Sequence, residues 1–331
     1  MKKNILLLTT GGTIASTSSD DGLRPTASGK GLLNLLGPLD YNISIRDLLT
    51  LESSNIQPEE WQLIAKSIFE ERESYDGIVV THGTDTMAYT ASMLSFMLPG
   101  IEIPIVLTGS QLPIFHPLSD APDNLRTAFA MAASETPGVF VAFDRKVLLG
   151  CRSVKVRTTG FDAFESVNLP PIAKISSDGL VIDHSLLPPR PQKCELKTEV
   201  DSRVMLIKLI PGLDPKIFSL LKQIDCRGVV LEAFGSGGLA FIRRDLISAL
   251  EELVENDIAT VVCSQCLYEK SDMTTYEVGR RALEKGVIPG GDMTSCAAVT
   301  KLMWALAHTN STAEVAEMFA KSLAGELTEE G

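Results

Sequence analysis

The sequence predicts an α/β protein, with a doubly wound, mainly parallel sheet in a larger N-terminal domain and a smaller C-terminal α/β domain. Three observations predict it. Short apolar runs alternate with amphipathic stretches along most of the 331 residues. The runs are continuous rather than alternating, as in parallel strands covered on both faces. A polar, Pro-rich stretch at 187–193 then breaks the texture before a new apolar run begins. The expected divisions are an N-terminal domain over 1–187, a linker over 188–200 and a C-terminal domain over 201–331.

Strands are expected at 4–9, 77–81, 104–108, 139–143, 203–209, 228–234 and 259–264. A helix is expected from Pro58 to about Glu71, with proline in its first turn and Glu59 and Glu60 complementing the helix N-terminus. The next runs from about residue 85 to 98. Met87, Ala91, Leu94 and Leu98 fall on one helical stripe, and Pro99-Gly100 ends it. Further helices are expected at 120–134, 241–255, 275–285, 292–308 and 312–323. Strand–helix alternation of this kind is the signature of a doubly wound sheet.

Composition excludes several classes. The apolar share is 44 % and the charged share 22 %, an ordinary globular balance. A net charge of −12 argues against a nucleic-acid partner, which needs clustered Lys and Arg. No apolar run approaches the ~18 residues of a membrane span. The basic start followed by Ile5 to Leu8 stops at Thr9-Thr10-Gly11-Gly12, short of the ~7–15 apolar residues of a signal peptide. It reads as a first buried strand and predicts a cytoplasmic protein. The six cysteines are too sparse for a disulfide framework, and Cys263-x-x-Cys266 lacks the second pair of a zinc site. The four histidines show no metal-ligand pairing, and neither a GxSxG elbow nor a phosphate loop is present. No metal and no cofactor are expected. His82 reads as a histidine that satisfies backbone groups at a helix entry rather than as a base.

Chemistry is expected at three strand-to-loop junctions, because ligands of open parallel sheets bind beyond the carboxyl ends of the strands. In Thr9-Thr10-Gly11-Gly12-Thr13, paired glycines let backbone and ligand approach, and a hydroxyl follows at once. Taken alone, that segment is equally a plain turn with a threonine cap. In His82-Gly83-Thr84-Asp85-Thr86, three polar side chains stand where one cap suffices. A helix start there suits a substrate carboxylate, and Asp85 suits an ammonium group. Thr108-Gly109-Ser110-Gln111 repeats the pattern more weakly. Together these segments describe a small polar site suited to a zwitterionic amino acid.

These motifs resemble the asparaginase/glutaminase family. Thr10-Gly11-Gly12-Thr13-Ile14-Ala15 is similar to its first signature, and Gly77 through His82-Gly83-Thr84-Asp85-Thr86-Met87 to its second. The resemblance covers nearly the whole chain. The continuation Met87-Ala88-Tyr89-Thr90 looks like the bacterial cytoplasmic type I branch. The resemblance implies hydrolysis of L-asparagine, with Thr13 as nucleophile and Thr84, Asp85 and Lys155 as a second catalytic group. It implies an oxyanion hole from backbone N–H groups near Gly12 or Thr84. It implies substrate binding by Glu52, Ser53, Ser54, Gly12, Gly83, Thr84, Asp85 and Ser110, weak glutaminase activity, and a homodimer or homotetramer. Without it, Lys155 would read as a solvated charge beside Arg152 and Arg157.

Three positions depart from the family pattern. Leu23 stands where relatives often carry a tyrosine on a mobile loop, so Tyr276 is expected to supply the missing hydroxyl. Val154 and Glu232 stand where some type I enzymes carry a threonine and a basic residue of an allosteric asparagine site, so no such activation is expected. Other readings compete. An amidase subunit of a tRNA-dependent amidotransferase would carry a domain before the Thr10 motif. A non-enzymatic amino-acid sensor would not need Thr13, Thr84, Asp85 and Lys155 intact. Gly235-Ser236-Gly237-Gly238-Leu239-Ala240 matches a dinucleotide-binding fingerprint, but its candidate acids, Glu251 and Glu252, fall on the helix rather than on a following strand.

Overall fold

A computed structural model of the chain describes residues 2–19, 22–25 and 28–329, with the backbone alone at 17–19 and 22–25. The described chain forms two units, divided between Thr198 and Glu199.

The first unit holds β1 (Asn4–Gly11), β2 (Ser16–Ser19), β3 (Gly22–Pro25), α1 (Gly29–Leu36), β4 (Asn42–Leu51), α2 (Pro58–Glu71), β5 (Gly77–Thr81), α3 (Met87–Met97), β6 (Pro104–Thr108), α4 (Ala121–Ala132), β7 (Gly138–Phe143), β8 (Lys146–Leu149), β9 (Ser153–Lys155), β10 (Phe164–Ser166), β11 (Ala173–Ser176) and β12 (Gly179–Ile182). Its main sheet runs β12-β11-β8-β7-β6-β5-β1-β4. Strands β4, β1, β5, β6 and β7 are parallel, and β8, β11 and β12 add antiparallel edges. The chain passes from β1 outward to β4 and then back across to β5. This reversal is the switch point at which an open α/β sheet leaves a crevice.

The central strands are apolar because both faces are covered. Every residue of β5 and β6 is buried. The N-terminus of α2 carries Pro58 within a Gln57/Glu60 capping box. The single stripe expected for α3 is replaced by burial nearly all round: Ala88, Ser92, Met93 and Phe96 are buried along with Met87, Ala91 and Leu94. Its hydroxyls survive burial by bonding the preceding turn, as when Ser92 donates to Ala88 O at 2.8 Å. The stretch after 187 is tied down at several points: Glu195 N donates to Pro99 O, Lys197 N to Met97 O and Arg190 Nη1 to Ile101 O.

The second unit holds β13 (Val204–Lys208), α5 (Lys216–Gln223), β14 (Gly228–Ala233), α6 (Leu246–Glu255), β15 (Ala259–Ser264), α7 (Glu277–Glu284), β16 (Ile288–Pro289), α8 (Ser295–His308) and α9 (Thr312–Phe319). A parallel sheet in the order β13-β14-β15-β16 packs Val229, Leu231 and Val262 against Phe218, Leu221, Leu246 and Leu250. Helix α6 begins five residues later than its expected start at 241. Asp245 decides this: its carboxylate accepts from Ser248 N and caps the helix there.

Candidate active site

Loops after β4, β1 and β5 meet beside the switch point. Gly12 lies beyond β1 with φ +82°, a conformation that favours glycine. Its N–H donates to Leu51 O at 2.9 Å, and a Cβ there would stand 2.4 Å from Gly83 N. Thr10 Oγ1 donates to Thr81 O at 2.8 Å, tying the ends of β1 and β5. Half-buried Thr13 opens a short 3₁₀ turn, which Ser16 Oγ closes onto Gly12 O. The paired glycines are therefore a contact between two loops and not a free turn.

The loop after β4 supplies Glu52, Ser53 and Ser54. Ser53 is buried; its Oγ accepts from Asp85 N at 3.3 Å, and its carbonyl accepts from Thr86 Oγ1 at 2.7 Å. A Cβ on Gly83 would stand 2.6 Å from Ser53 Oγ. So Thr86 is used across loops, and its side chain makes no capping bond to α3.

His82 is fully buried. The Gly83 carbonyl, 2.7 Å from Nδ1, can only accept, so the neutral ring carries its proton on Nδ1. Nε2 then accepts from Thr90 Oγ1 at 2.9 Å, and that hydroxyl itself accepts from Trp61 Nε1 at 2.9 Å. Burial pushes the imidazole pKa down to about 4, against the opposing pull of the Gly83 carbonyl. His82 is a neutral strut, as the sequence suggests.

Lys155 ends β9, which pairs with β10 in a hairpin. Its Nζ donates to Thr84 Oγ1 at 2.8 Å and to Asp85 Oδ1 at 2.6 Å. The lysine side chain is 16 % exposed and that of Asp85 70 %. The pair is thus a half-buried ammonium reaching toward an open carboxylate, not a freely solvated charge. Thr84 also donates to Gln111 Oε1 at 3.2 Å, a partner that sequence reasoning left unassigned.

Gly12, Thr13, Ser16, Glu52, Ser53, Ser54, Gly83 and Asp85 line a cavity of about 160 Å³. That is below the ~300–1,000 Å³ typical of drug-sized sites and suits a ligand of amino-acid size. Thr84 and Lys155 are not part of the lining and join it through the bond from Lys155 to Asp85. Ser110 is expected at the substrate but faces elsewhere: it is buried, and its hydroxyl donates to Leu112 O.

Other expected residues fall outside this cluster. The side chain of Leu23, with Asp20 and Asp21 of its loop, lies outside the described residues. Tyr276, in the second unit, is exposed at the N-cap position of α7. Val154 pairs with Glu165 in the β9–β10 hairpin. Glu232 accepts from Ser295 Oγ at 2.6 Å and pairs with Lys208. Among the described residues no group of three or more His, Cys, Asp or Glu is placed to hold a metal. Cys263 is buried, and burial ahead of nearby Glu232 pushes its thiol up to about 12; Cys266 is exposed.

The chain matches two family descriptions, "Asparaginase, N-terminal" over residues 4–187 and "Glutaminase/Asparaginase C-terminal domain" over residues 203–319. An L-asparaginase of Thermococcus kodakarensis is 45 % identical over 329 residues, covering 98 % of this chain and 99 % of that protein. A solved structure of the thermostable L-asparaginase from the same organism superposes with a TM-score of 0.94 at 44 % identity, over 99 % of this chain and 100 % of that one. L-asparaginase I from Vibrio cholerae gives 0.86 at 32 % identity, over 99 % and 100 %. A glutamyl-tRNA(Gln) amidotransferase component of Methanosphaera stadtmanae is 35 % identical over 341 residues, covering 98 % of this chain and 77 % of that protein.

Proposed function

The chain belongs to the asparaginase family, and from that membership we propose that it hydrolyses L-asparagine to L-aspartate and ammonia. The observation that carries this reading is the Lys155 ammonium bonded at once to Thr84 and Asp85, behind a small cavity that Thr13 lines. Thr13 Oγ attacks the side-chain amide carbon, and the hydroxyl proton is delivered to the leaving nitrogen, which departs as ammonia. Water then cleaves the β-aspartyl ester, releasing aspartate and restoring the Thr13 hydroxyl. Proton transfer by a positioned group is worth ~10²–10⁴ in rate. The Gly12 N–H is engaged by Leu51 O, so the backbone N–H groups that follow Gly12 and Gly83 stabilise the oxyanion, each donor typically worth ~3 kcal/mol.

Substrate recognition follows from the lining. Ser53 Oγ accepts from Asp85 N, so its own proton is left for the substrate α-carboxylate. Asp85 and Glu52 supply negative charge for the ammonium. Glutamine is a weak side substrate, since one methylene is worth only ~1–3 kcal/mol. On the family resemblance alone, Tyr276 is assigned the activating hydroxyl that Leu23 lacks. We read the protein as a type I, cytoplasmic, homo-oligomeric member, and the likeness to Vibrio L-asparaginase I supports the first of these.

Ammonia release from free asparagine tests the reading. Thr13→Ala should lower kcat by at least ~10³-fold, a loss of the size seen when a nucleophile is removed. Tyr276→Phe should also lower it. Turnover undiminished in Thr13→Ala sinks the mechanism. Release that requires a charged tRNA favours the amidotransferase reading instead.

A further inference from the structure

We infer that Gln111 is a positioning residue that fixes the direction of the Thr84 hydroxyl and holds Lys155 against it. This rests on the proposed hydrolysis only for its kinetic consequence. Gln111 follows β6 and contributes nothing to the cavity lining. Both of its amide protons and its oxygen are nevertheless engaged. Nε2 donates to Thr158 O and to Gly160 O, both at 3.1 Å, and Oε1 accepts from Thr84 Oγ1 at 3.2 Å. The two carbonyls decide which end of the amide is which, because a flipped amide would set its oxygen against both of them.

That assignment settles the polarity of Thr84. A hydroxyl has one proton and two acceptor lone pairs, and an ammonium can only donate. Lys155 Nζ donates to Thr84 Oγ1 at 2.8 Å, so one lone pair is used. The Thr84 proton goes to Gln111. What remains is a second lone pair, and Thr84 therefore offers an acceptor to the reacting water rather than a proton.

The same amide grips the hairpin that carries the lysine. Thr158 and Gly160 lie between β9, which ends at Lys155, and β10. Gln111 is itself held by its backbone. Its N–H donates to Asp120 at 3.0 Å, and Leu112 N donates to the same carboxylate at 3.1 Å. Asn124 Nδ2 donates to Asp120 and to Gly109 O, and Asn124 Oδ1 accepts from Asp144 N. Rigid support of this kind holds a reacting group within a fraction of an ångström, where small displacements are costly.

Two experiments test the inference. In a neutron diffraction map of the wild-type protein, the deuterium on Thr84 Oγ1 should point to Gln111 Oε1; one pointing to the cavity overturns the assignment. In steady-state kinetics on asparagine, Gln111→Met should lower kcat at least fivefold with KM within threefold of wild type. A smaller fall, or a loss carried by KM, overturns the positioning role. A wild type that releases no ammonia would sink the proposed function alone, since the neutron map needs neither substrate nor variant.

Discussion

Glycine-bearing loops leave the carboxyl ends of parallel strands in both units, after β1 and after β14, and the first lines the candidate site. After β1, a Cβ on Gly12 would stand 2.4 Å from the backbone of the loop after β5. After β14, Gly235 has no atom within 4 Å of the same test position. There the chain turns back on itself, Gly238 N donating to Phe234 O at 2.7 Å, and the helix waits until Leu246. A dinucleotide fingerprint needs its glycines to open directly onto a helix N-terminus, and this loop does not. What separates Gly12 from Gly235 is the backbone that Gly12 touches. The number of glycines in a row says much less.

The largest effect that would sharpen the contrast belongs to Gly12→Ala. The clash sets the new Cβ against backbone and cannot be relieved by a rotamer change, so kcat/KM should fall at least ~10²-fold, as for a misplacement of about 1 Å. Ammonia release by the folded variant measures it, and near-wild-type activity would break the comparison.

His82 gives a smaller, pH-dependent effect within the same junction. Its folded pKa, about 4, lies below the ordinary 6.5. As pH falls the unfolded chain takes up a proton first, so stability rises with pH across this window and is lost between about 6.5 and 4. The loss attributable to His82 is about 3 kcal/mol at ~1.4 kcal/mol per pH unit. Urea unfolding of wild type and His82→Gln at both ends of the window should show a shallower pH dependence in the variant. Equal slopes would mean that His82 is not held neutral.

The smallest effect is expected in the second loop. Gly235 has φ +50°, where an alanine is strained by only ~1–2 kcal/mol. Gly235→Ala should therefore cost that much stability in urea unfolding and leave kcat unchanged. A loss of activity comparable to Gly12→Ala would erase the distinction between the loops.

The sequence was most legible where burial is complete. The runs 77–81, 104–108 and 259–264 coincide with β5, β6 and β15, because strands covered on both faces are written as unbroken apolar segments. The edge strand β4 carries no such signal. Its sequence, Asn-Ile-Ser-Ile-Arg-Asp-Leu-Leu-Thr-Leu, mixes polar and apolar residues because it is only partly covered. The ladders β9 to β12 are only three or four residues each, too short for a periodic signal.

The candidate site divides along the same line. Sequence alone determined the fold class, the two glycine-and-threonine junctions and, through their resemblance to a family, the interest of Thr13, Thr84, Asp85 and Lys155. Apart from Lys155 those features are local, since a strand end, a glycine and a hydroxyl sit within a few residues. Only the tertiary structure decided that Lys155 is drawn to Thr84 across 71 residues of chain, that Ser110 is turned away, and that Gln111 holds both elements together. The reason is physical. Each depends on which polar atoms face one another once the loops have met, and a single hydrogen bond between distant segments leaves no periodic trace in the sequence.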